Sequence, residues 1–107
     1  MTPADLMTGW TTAAPREAAE RLARGLVEAK LAACAQVSGP ISSFYRWNGE
    51  LEQTEEFRIT VKYASAKGDD LAHWLTRHHP YETPQWVACR VEQTTEKYLK
   101  WVLDDRS

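Results

Sequence analysis

The sequence predicts an α+β fold, in which an antiparallel sheet carries helices on one face. From Phe57 to Tyr63, apolar and polar residues alternate with the period of a strand that has one buried face. Asn48-Gly49 is a strong signal for a tight hairpin, because both positions can take a positive φ. Two further stretches, near residues 15–30 and 69–78, place apolar side chains at helical spacing instead.

The first half of the chain divides into a strand, a helix and a long strand. Leu6 to Thr11 predicts the first strand. Pro15 suits the first turn of a helix and Glu17 favours its dipole, and helical spacing then continues to about Lys30. Ala32 to Trp47 predicts a long second strand, which the hairpin turn joins to the return strand.

Two glycines mark places where the backbone needs freedom or space. Gly39 stands before Pro40 and predicts a kink in the long second strand. Gly25 lies inside the first helix, where it costs roughly 1 kcal/mol against alanine. We therefore expect the backbone of this helix to approach a neighbour closely, and the sheet is the expected neighbour.

The second half begins and ends with helices. Asp69 or Asp70 is expected to cap the second helix, and Pro80 prevents that helix from continuing. Thr94 or Thr95 can cap a third helix. The inner faces of these helices are predicted to carry Leu71, Trp74, Leu75 and His78 in the second, and Tyr98, Trp101 and Val102 in the third.

Gln85 to Glu92 predicts a fourth strand, which completes the order β-α-β-β-α-β-α. Two right-handed crossovers around a long β-hairpin give a ferredoxin-like split βαβ arrangement with an extra C-terminal helix. The first strand, the hairpin turn and the exit from the second helix then meet at one rim. Thr11, Trp47 and residues 79–82 are expected to converge there, whereas Cys34 lies at the opposite rim.

Composition narrows the class of function. The 107 residues fit a single domain over 1–107, small enough that association of subunits is expected. Thirteen basic and fifteen acidic residues are mixed along the chain, so we expect no nucleic-acid partner. The longest apolar stretch, Leu31 to Ala35, is too short for a membrane, and no secretory leader is recognised, so we expect a cytoplasmic protein. Cys34 and Cys89 lack the spacing of a zinc or redox motif.

Residues 78–84, His-His-Pro-Tyr-Glu-Thr-Pro, concentrate polar chemistry between two prolines. His79 and Glu82, joined by Tyr81, have the side chains to bind Cu²⁺, Zn²⁺ or Ni²⁺. Alternatively, the imidazole and the carboxylate satisfy each other and nearby amides in a hydrogen-bonded corner. His78 continues the apolar face of the second helix, which is more typical of a core or interface histidine than of a ligand.

Five tryptophans in so short a chain raise the question of an aromatic cleft between subunits. The alternative is that these rings pack in the core or at a subunit interface, where aromatic residues are enriched without any ligand. Lys62 can form an ion pair with Glu56 or Glu82, or attract an anionic ligand. The residues considered for the cleft are Tyr45, Trp47, Lys62, Tyr81, Glu82, Trp86 and Trp101.

Several segments together resemble the CutA family of divalent-cation tolerance proteins, in the family's order and spacing over roughly residues 6–104. They are Lys30-Leu31-Ala32-Ala33-Cys34, Ser43-Phe44-Tyr45-Arg46-Trp47-Asn48-Gly49, Val61-Lys62, His79-Pro80-Tyr81-Glu82-Thr83-Pro84 and Tyr98-Leu99-Lys100-Trp101. The resemblance implies a homotrimer similar to the PII signalling proteins, in which neighbours cover the exposed edges of the second and fourth strands. It also implies tolerance to divalent metals, chiefly copper.

In some members of that family, a cysteine at the end of the first strand joins paired histidines in binding copper. Thr11 stands at that position here, while His78 and His79 match the histidines and Glu82 preserves a carboxylate beside them. Loss of the thiolate removes the softest ligand. We therefore expect Cu²⁺ or another divalent ion as a ligand that is not tightly held.

Three functions compete at this point. The first is a non-enzymatic trimer that binds copper or another divalent ion at the rim. The alternative is a PII-like regulatory or scaffold trimer, whose inter-subunit cleft accepts a small anionic ligand or a partner protein. An enzyme with Glu82 and His79 as acid and base ranks last, because no nucleophile elbow, phosphate loop or second carboxylate accompanies them.

Overall fold

A computed structural model describes residues 1–104 of the chain, and its sheet contains four antiparallel strands in the order β2-β3-β1-β4. The strands are β1 Leu6–Ala13, β2 Cys34–Trp47, β3 Glu50–Ala64 and β4 Val87–Arg90. The helices are α1 Arg16–Glu28, α2 Gly68–His78 and α3 Glu96–Leu103. This arrangement confirms the predicted α+β, ferredoxin-like fold. The expected domain over 1–107 includes residues 105–107, which lie outside the described range.

Several predicted boundaries change. β1 continues to Ala13, because its pairing with β3 extends as far as Phe57. β4 is shorter than predicted, since it pairs with β1 only opposite Met7 to Trp10. Helix α2 begins without a side-chain cap, so the expected capping by Asp69 or Asp70 is wrong. Both aspartates instead lie in the first turn, where their charges favour the helix dipole.

The third helix confirms its predicted cap. The Tyr98 amide donates a hydrogen bond to Thr95 Oγ1 at 3.3 Å. The side chains that α3 buries are Leu99 and Val102, which pack with Leu6 of β1 in a small second core. Trp101, which was expected on this inner face, is 43% exposed and lies stacked against Tyr98.

The main core lies between the sheet and helices α1 and α2. The alternation predicted for β3 is confirmed, because Phe57, Ile59, Val61 and Tyr63 are all buried. The neighbour of Gly25 is not the sheet, however. A Cβ atom at Gly25 would stand 2.6 Å from the Trp74 ring of α2, so the missing side chain lets one helix pack on the indole of the other.

The hairpin extends well beyond the rest of the sheet. Asn48 and Gly49 form its turn with φ of 51° and 79°, as predicted, and the expected kink appears as a register shift between Ser38 and Ile41. The radius of gyration is 14.5 Å, against about 13 Å for a compact domain of this size. Within the described residues, no helix is long and apolar enough to cross a membrane.

Candidate functional site

His79 and Thr11 meet at the rim of the sheet, as the topology predicts. His79 follows the last residue of α2 and is only 8% exposed. Its Nε2 lies 2.9 Å from the Thr12 carbonyl oxygen and 3.2 Å from Thr11 Oγ1. Its Nδ1 lies 3.1 Å from the Tyr81 backbone nitrogen. Both ring nitrogens therefore have partners inside the chain.

These partners fix the protonation state of His79. The Tyr81 amide can only donate, so Nδ1 accepts with its lone pair and Nε2 carries the hydrogen donated to Thr12. Burial lowers the pKa of His79, against smaller raising effects from the Thr12 hydrogen bond and the Glu56 charge. The ring is neutral at pH 7, and its lone pair is already used. A metal ion at His79 would have to displace the Tyr81 amide.

His78 has the opposite environment. It is exposed at the end of α2, and its Nδ1 lies 2.8 Å from the Trp74 carbonyl oxygen. Because a carbonyl only accepts, Nδ1 donates and Nε2 keeps its lone pair. Leu71 and Leu75 fill the buried face of the helix, so the His78 ring stacks on the Trp74 indole at 4.0 Å instead. A core position for His78 is therefore wrong, while an interface position stays a prediction.

Glu82 does not complete a metal centre with these histidines in one chain. Its side chain is exposed, and the carboxylate that influences His79 is that of Glu56. Across residues 1–104, no three His, Cys, Asp or Glu side chains are grouped so as to hold a metal ion. The structure thus has the hydrogen-bonded corner that was the alternative to a metal site. The partners of His79 in it are the Thr12 carbonyl and the Tyr81 amide, and not the carboxylate of Glu82.

An open groove of about 880 Å³ runs along the hairpin beside residues 81–85. Tyr45, Trp47 and Tyr81, which were predicted to line a cleft, all line this groove. The Tyr81 hydroxyl donates a hydrogen bond of 2.9 Å to Glu56 Oε2. Burial, and then this contact with Glu56, raises the pKa of Tyr81 to about 12.

Of the other residues considered for the cleft, Glu82 also lines the groove, whereas Lys62, Trp86 and Trp101 do not. Lys62 sits opposite Cys34 on β2, at the other rim, and its Nζ donates to Gln36 Oε1 at 3.4 Å. Among the described residues it forms no ion pair with Glu56 or Glu82, so both predicted pairs are wrong. Six residues of strand separate Lys62 from Glu56 by about 20 Å. Trp86 packs against the core, over Gly9 of β1.

Sequence reasoning placed Glu82 in the cleft but missed the glutamates of the hairpin. Glu52, Glu55 and Glu56 of the hairpin line it together with Glu82. Glu56 falls on the polar positions of the β3 alternation, which predict exposure, and yet it is buried. Its partner Tyr81 lies 25 residues further along the chain. No local pattern connects the two.

Comparisons with known proteins agree with this fold. Residues 7–105 match the family profile described as CutA1 divalent ion tolerance protein. The Protein CutA homolog of Xenopus laevis is 39% identical over 99 residues, which cover 92% of this chain but 66% of that protein. The divalent-cation tolerance protein CutA of Archaeoglobus fulgidus is 38% identical, covering 87% of this chain and 90% of the relative.

Solved structures are similar as well. The structure of CutA from Synechococcus elongatus superposes with a TM-score of 0.93 at 33% identity, and it covers 100% of this chain and 95% of its own. The Archaeoglobus fulgidus structure, described as that of a periplasmic divalent cation tolerance protein, gives a TM-score of 0.86 at 36% identity, with 91% and 94% coverage.

Proposed function

Because this chain belongs to the CutA1 divalent ion tolerance protein family, we propose that it acts in divalent-cation tolerance as a non-enzymatic homotrimer that binds copper or another divalent ion. The observation that carries the metal proposal is the Nε2 of His78, which has no hydrogen-bond partner among residues 1–104. A backbone carbonyl holds the other nitrogen of this exposed ring, which is how metal-ligating histidines are commonly oriented. Imidazole suits Cu²⁺, Zn²⁺ and Ni²⁺ alike.

The proposed metal contact is weak within one subunit. Both ring nitrogens of His79 are already hydrogen-bonded, one to Thr12 and one to Tyr81. Thr11 has a hydroxyl group where some family members have a thiolate. Further ligands would have to come from a neighbouring subunit. We therefore expect reversible binding rather than a resident metal.

Assembly into a trimer is supported by exposed strand edges and exposed apolar side chains. β2 and β4 form the two edges of the sheet, and an uncovered edge favours pairing with another chain. On the hairpin, Phe44 and Leu51 are 63% and 78% exposed, and Val87 of β4 is 53% exposed. A light-scattering mass of one subunit at micromolar concentration would contradict this part of the proposal.

Two further parts of the proposal have narrower support. The absence of enzymatic activity is supported by the two hydrogen bonds of His79, which leave it no free nitrogen to act as a base. A cytoplasmic location stays a prediction. Fractionation of cells that produce the native protein tests the location directly.

The metal proposal is tested by calorimetric titration of the metal-stripped protein with Cu²⁺ in a non-chelating buffer. We expect His78→Ala to weaken binding and His79→Ala to affect it less. His73→Ala is the matched control, because His73 is another exposed histidine of α2. Equal losses in the His73 and His78 variants would indicate unspecific surface binding and would refute the site.

A PII-like regulatory or scaffold trimer remains the second candidate, and the groove is the observation that favours it. Its volume falls within the range of small-molecule sites, roughly 300–1,000 Å³. The anionic ligand expected from the sequence is not supported, because four glutamates and no described lysine or arginine line the groove. If the groove has a ligand, its charge should be positive.

A further inference from the structure

The sheet has one face that the main core leaves uncovered. The odd-numbered side chains of β3 from 57 to 63 pack with α1 and α2, and alternate side chains of a strand point to opposite faces. Helix α3 packs on the second face around Leu6, at the start of β1. Beyond that point, the even-numbered side chains of β3 from 58 to 62 are half-buried or exposed. We call this second face the open face.

Charge is divided along the open face. Where β3 pairs with β1, the ionic side chains on this face are Arg58 and Lys62, which are both cations. On the hairpin they are Glu50, Glu52 and Glu56. Glu56 is buried and already hydrogen-bonded, whereas Glu50 is exposed and Glu52 is half-buried. The open face is therefore positive over the body of the sheet and negative on the hairpin.

These charges have no opposite partner within the described part of the chain. Arg58 forms no ion pair or hydrogen bond there, and Lys62 donates to the neutral Gln36. Glu50 and Glu52 form no ion pair among the same residues. Six residues of extended strand place Glu52 about 20 Å from Arg58, so the hairpin cannot neutralise the open face of its own chain. A second copy of the chain can bring the two charges together.

Two rings beside the hairpin carboxylates indicate which cation fits them. Across the hairpin, Trp47 pairs with Glu50 and Tyr45 pairs with Glu52. Both rings are exposed. A guanidinium forms two hydrogen bonds with a carboxylate and stacks on an aromatic ring, so the side chain of Arg58 suits this surface.

We propose that the hairpin of one copy docks on the open face of a second copy, with Glu50 and Glu52 against Arg58 and Lys62. This inference rests on the proposed homotrimer and assigns the charged surfaces that meet in it. Each contact joins two different surfaces of the chain, and contacts of this kind can close into a ring. Complementary charge fixes the register of such a contact and suppresses wrong partners, and salt weakens it.

The test measures the exchange of subunits between ¹⁵N-labelled and unlabelled protein by mass spectrometry, with light scattering to give the assembled mass. We expect Glu50→Lys with Glu52→Lys to accelerate exchange by about tenfold or more, because like charges then meet. Arg58→Glu with Lys62→Glu should do the same. The fourfold variant should return to about the rate of the unmodified protein, since its charges are complementary again with the signs exchanged.

A second measurement needs no substitution on either surface. Exchange in the unmodified protein should accelerate several-fold as NaCl rises from about 0.05 M to about 1 M, because salt screens exposed charges. Glu20→Lys with Arg24→Glu is the matched control, since both residues are exposed on α1. It should leave the exchange rate and its salt dependence unchanged.

The outcomes separate this inference from the trimer itself. A mass of one subunit for the unmodified protein would contradict the homotrimer and the inference with it. A trimer whose exchange responds neither to salt nor to either pair of reversed charges would overturn the inference alone. Faster exchange in both pairs, with no recovery in the fourfold variant and no salt dependence, would also overturn it, because the loss would then not depend on charge complementarity.

Discussion

His78 and His79 are adjacent in sequence and differ in almost every physical respect. His79 is buried at the rim, with both nitrogens bonded inside the chain. His78 is exposed on the last turn of α2, and the described part of the chain gives its Nε2 no hydrogen-bond partner. Pro80 is the reason for the contrast, because it ends the helix and forces His79 into an extended conformation. Within one chain, the His79 ring therefore stabilises the rim, and the His78 ring is available to a ligand.

The largest effect that would test this contrast is the loss of the His79 ring. We expect His79→Ala to lower the free energy of unfolding by about 2–4 kcal/mol, because it leaves the Tyr81 amide and the Thr12 carbonyl without partners. Urea denaturation measures this change. A loss below about 0.5 kcal/mol, typical of surface positions, would show that the corner is not structural.

The Tyr81–Glu56 bond should matter somewhat less. Tyr81→Phe removes the hydroxyl that donates to a buried carboxylate, and we expect a loss of about 1.5–3 kcal/mol. The same denaturation experiment, with Tyr45→Phe as the matched control on the hairpin, separates this bond from a general effect of losing a hydroxyl. Similar losses in the two variants would place the effect outside the Glu56 contact.

Acidification should lower the free energy of unfolding, and His79 should account for part of this loss. Its pKa is lowered in the folded state, so the unfolded chain binds the proton first. Stability is therefore fully present above the unfolded pKa of about 6.5 and falls as the pH drops below that value toward the folded pKa. Denaturation between pH 7.5 and 5 should show this decline. His79→Gln should lose that component, and a decline of the same size in His79→Gln would assign it to another group.

The smallest expected effect belongs to His78. We expect His78→Ala to change the free energy of unfolding by less than about 0.5 kcal/mol, because the ring is exposed and its hydrogen bond lies at a helix end. Differential scanning calorimetry of both alanine variants compares the two histidines directly. Equal destabilisation by the two substitutions would remove the contrast on which the metal proposal rests.

The sequence alone was sufficient to predict the fold and part of the arrangement of residues at the rim. Periodicity and turn chemistry give the hairpin, the β3 alternation and the meeting of Thr11 with His79. These features depend on neighbouring residues and on the allowed connections between elements. The neighbour of Gly25 could not be predicted in the same way, because it depends on how the Trp74 side chain fits between two helices.

The roles of the histidines were harder to predict for a related reason. Helical spacing assigned His78 to the buried face, but the face was already filled by Leu71 and Leu75. His79 forms its hydrogen bonds with backbone groups, and such partners cannot be predicted from the types of residue in a sequence. The burial of Glu56 likewise depends on a contact between distant segments. Local patterns identify elements well and identify tertiary partners poorly.

The stack of His78 on Trp74 has an optical consequence. The imidazole lies 4.0 Å from the indole, close enough for an ion bound at Nε2 to alter the emission of that tryptophan. The six-membered ring of the same indole lies against Gly25 of α1, so the ring also contacts a second helix. Trp74 is one of five tryptophans, so quenching of the emission that disappears in Trp74→Phe would report occupancy of His78 without any added label.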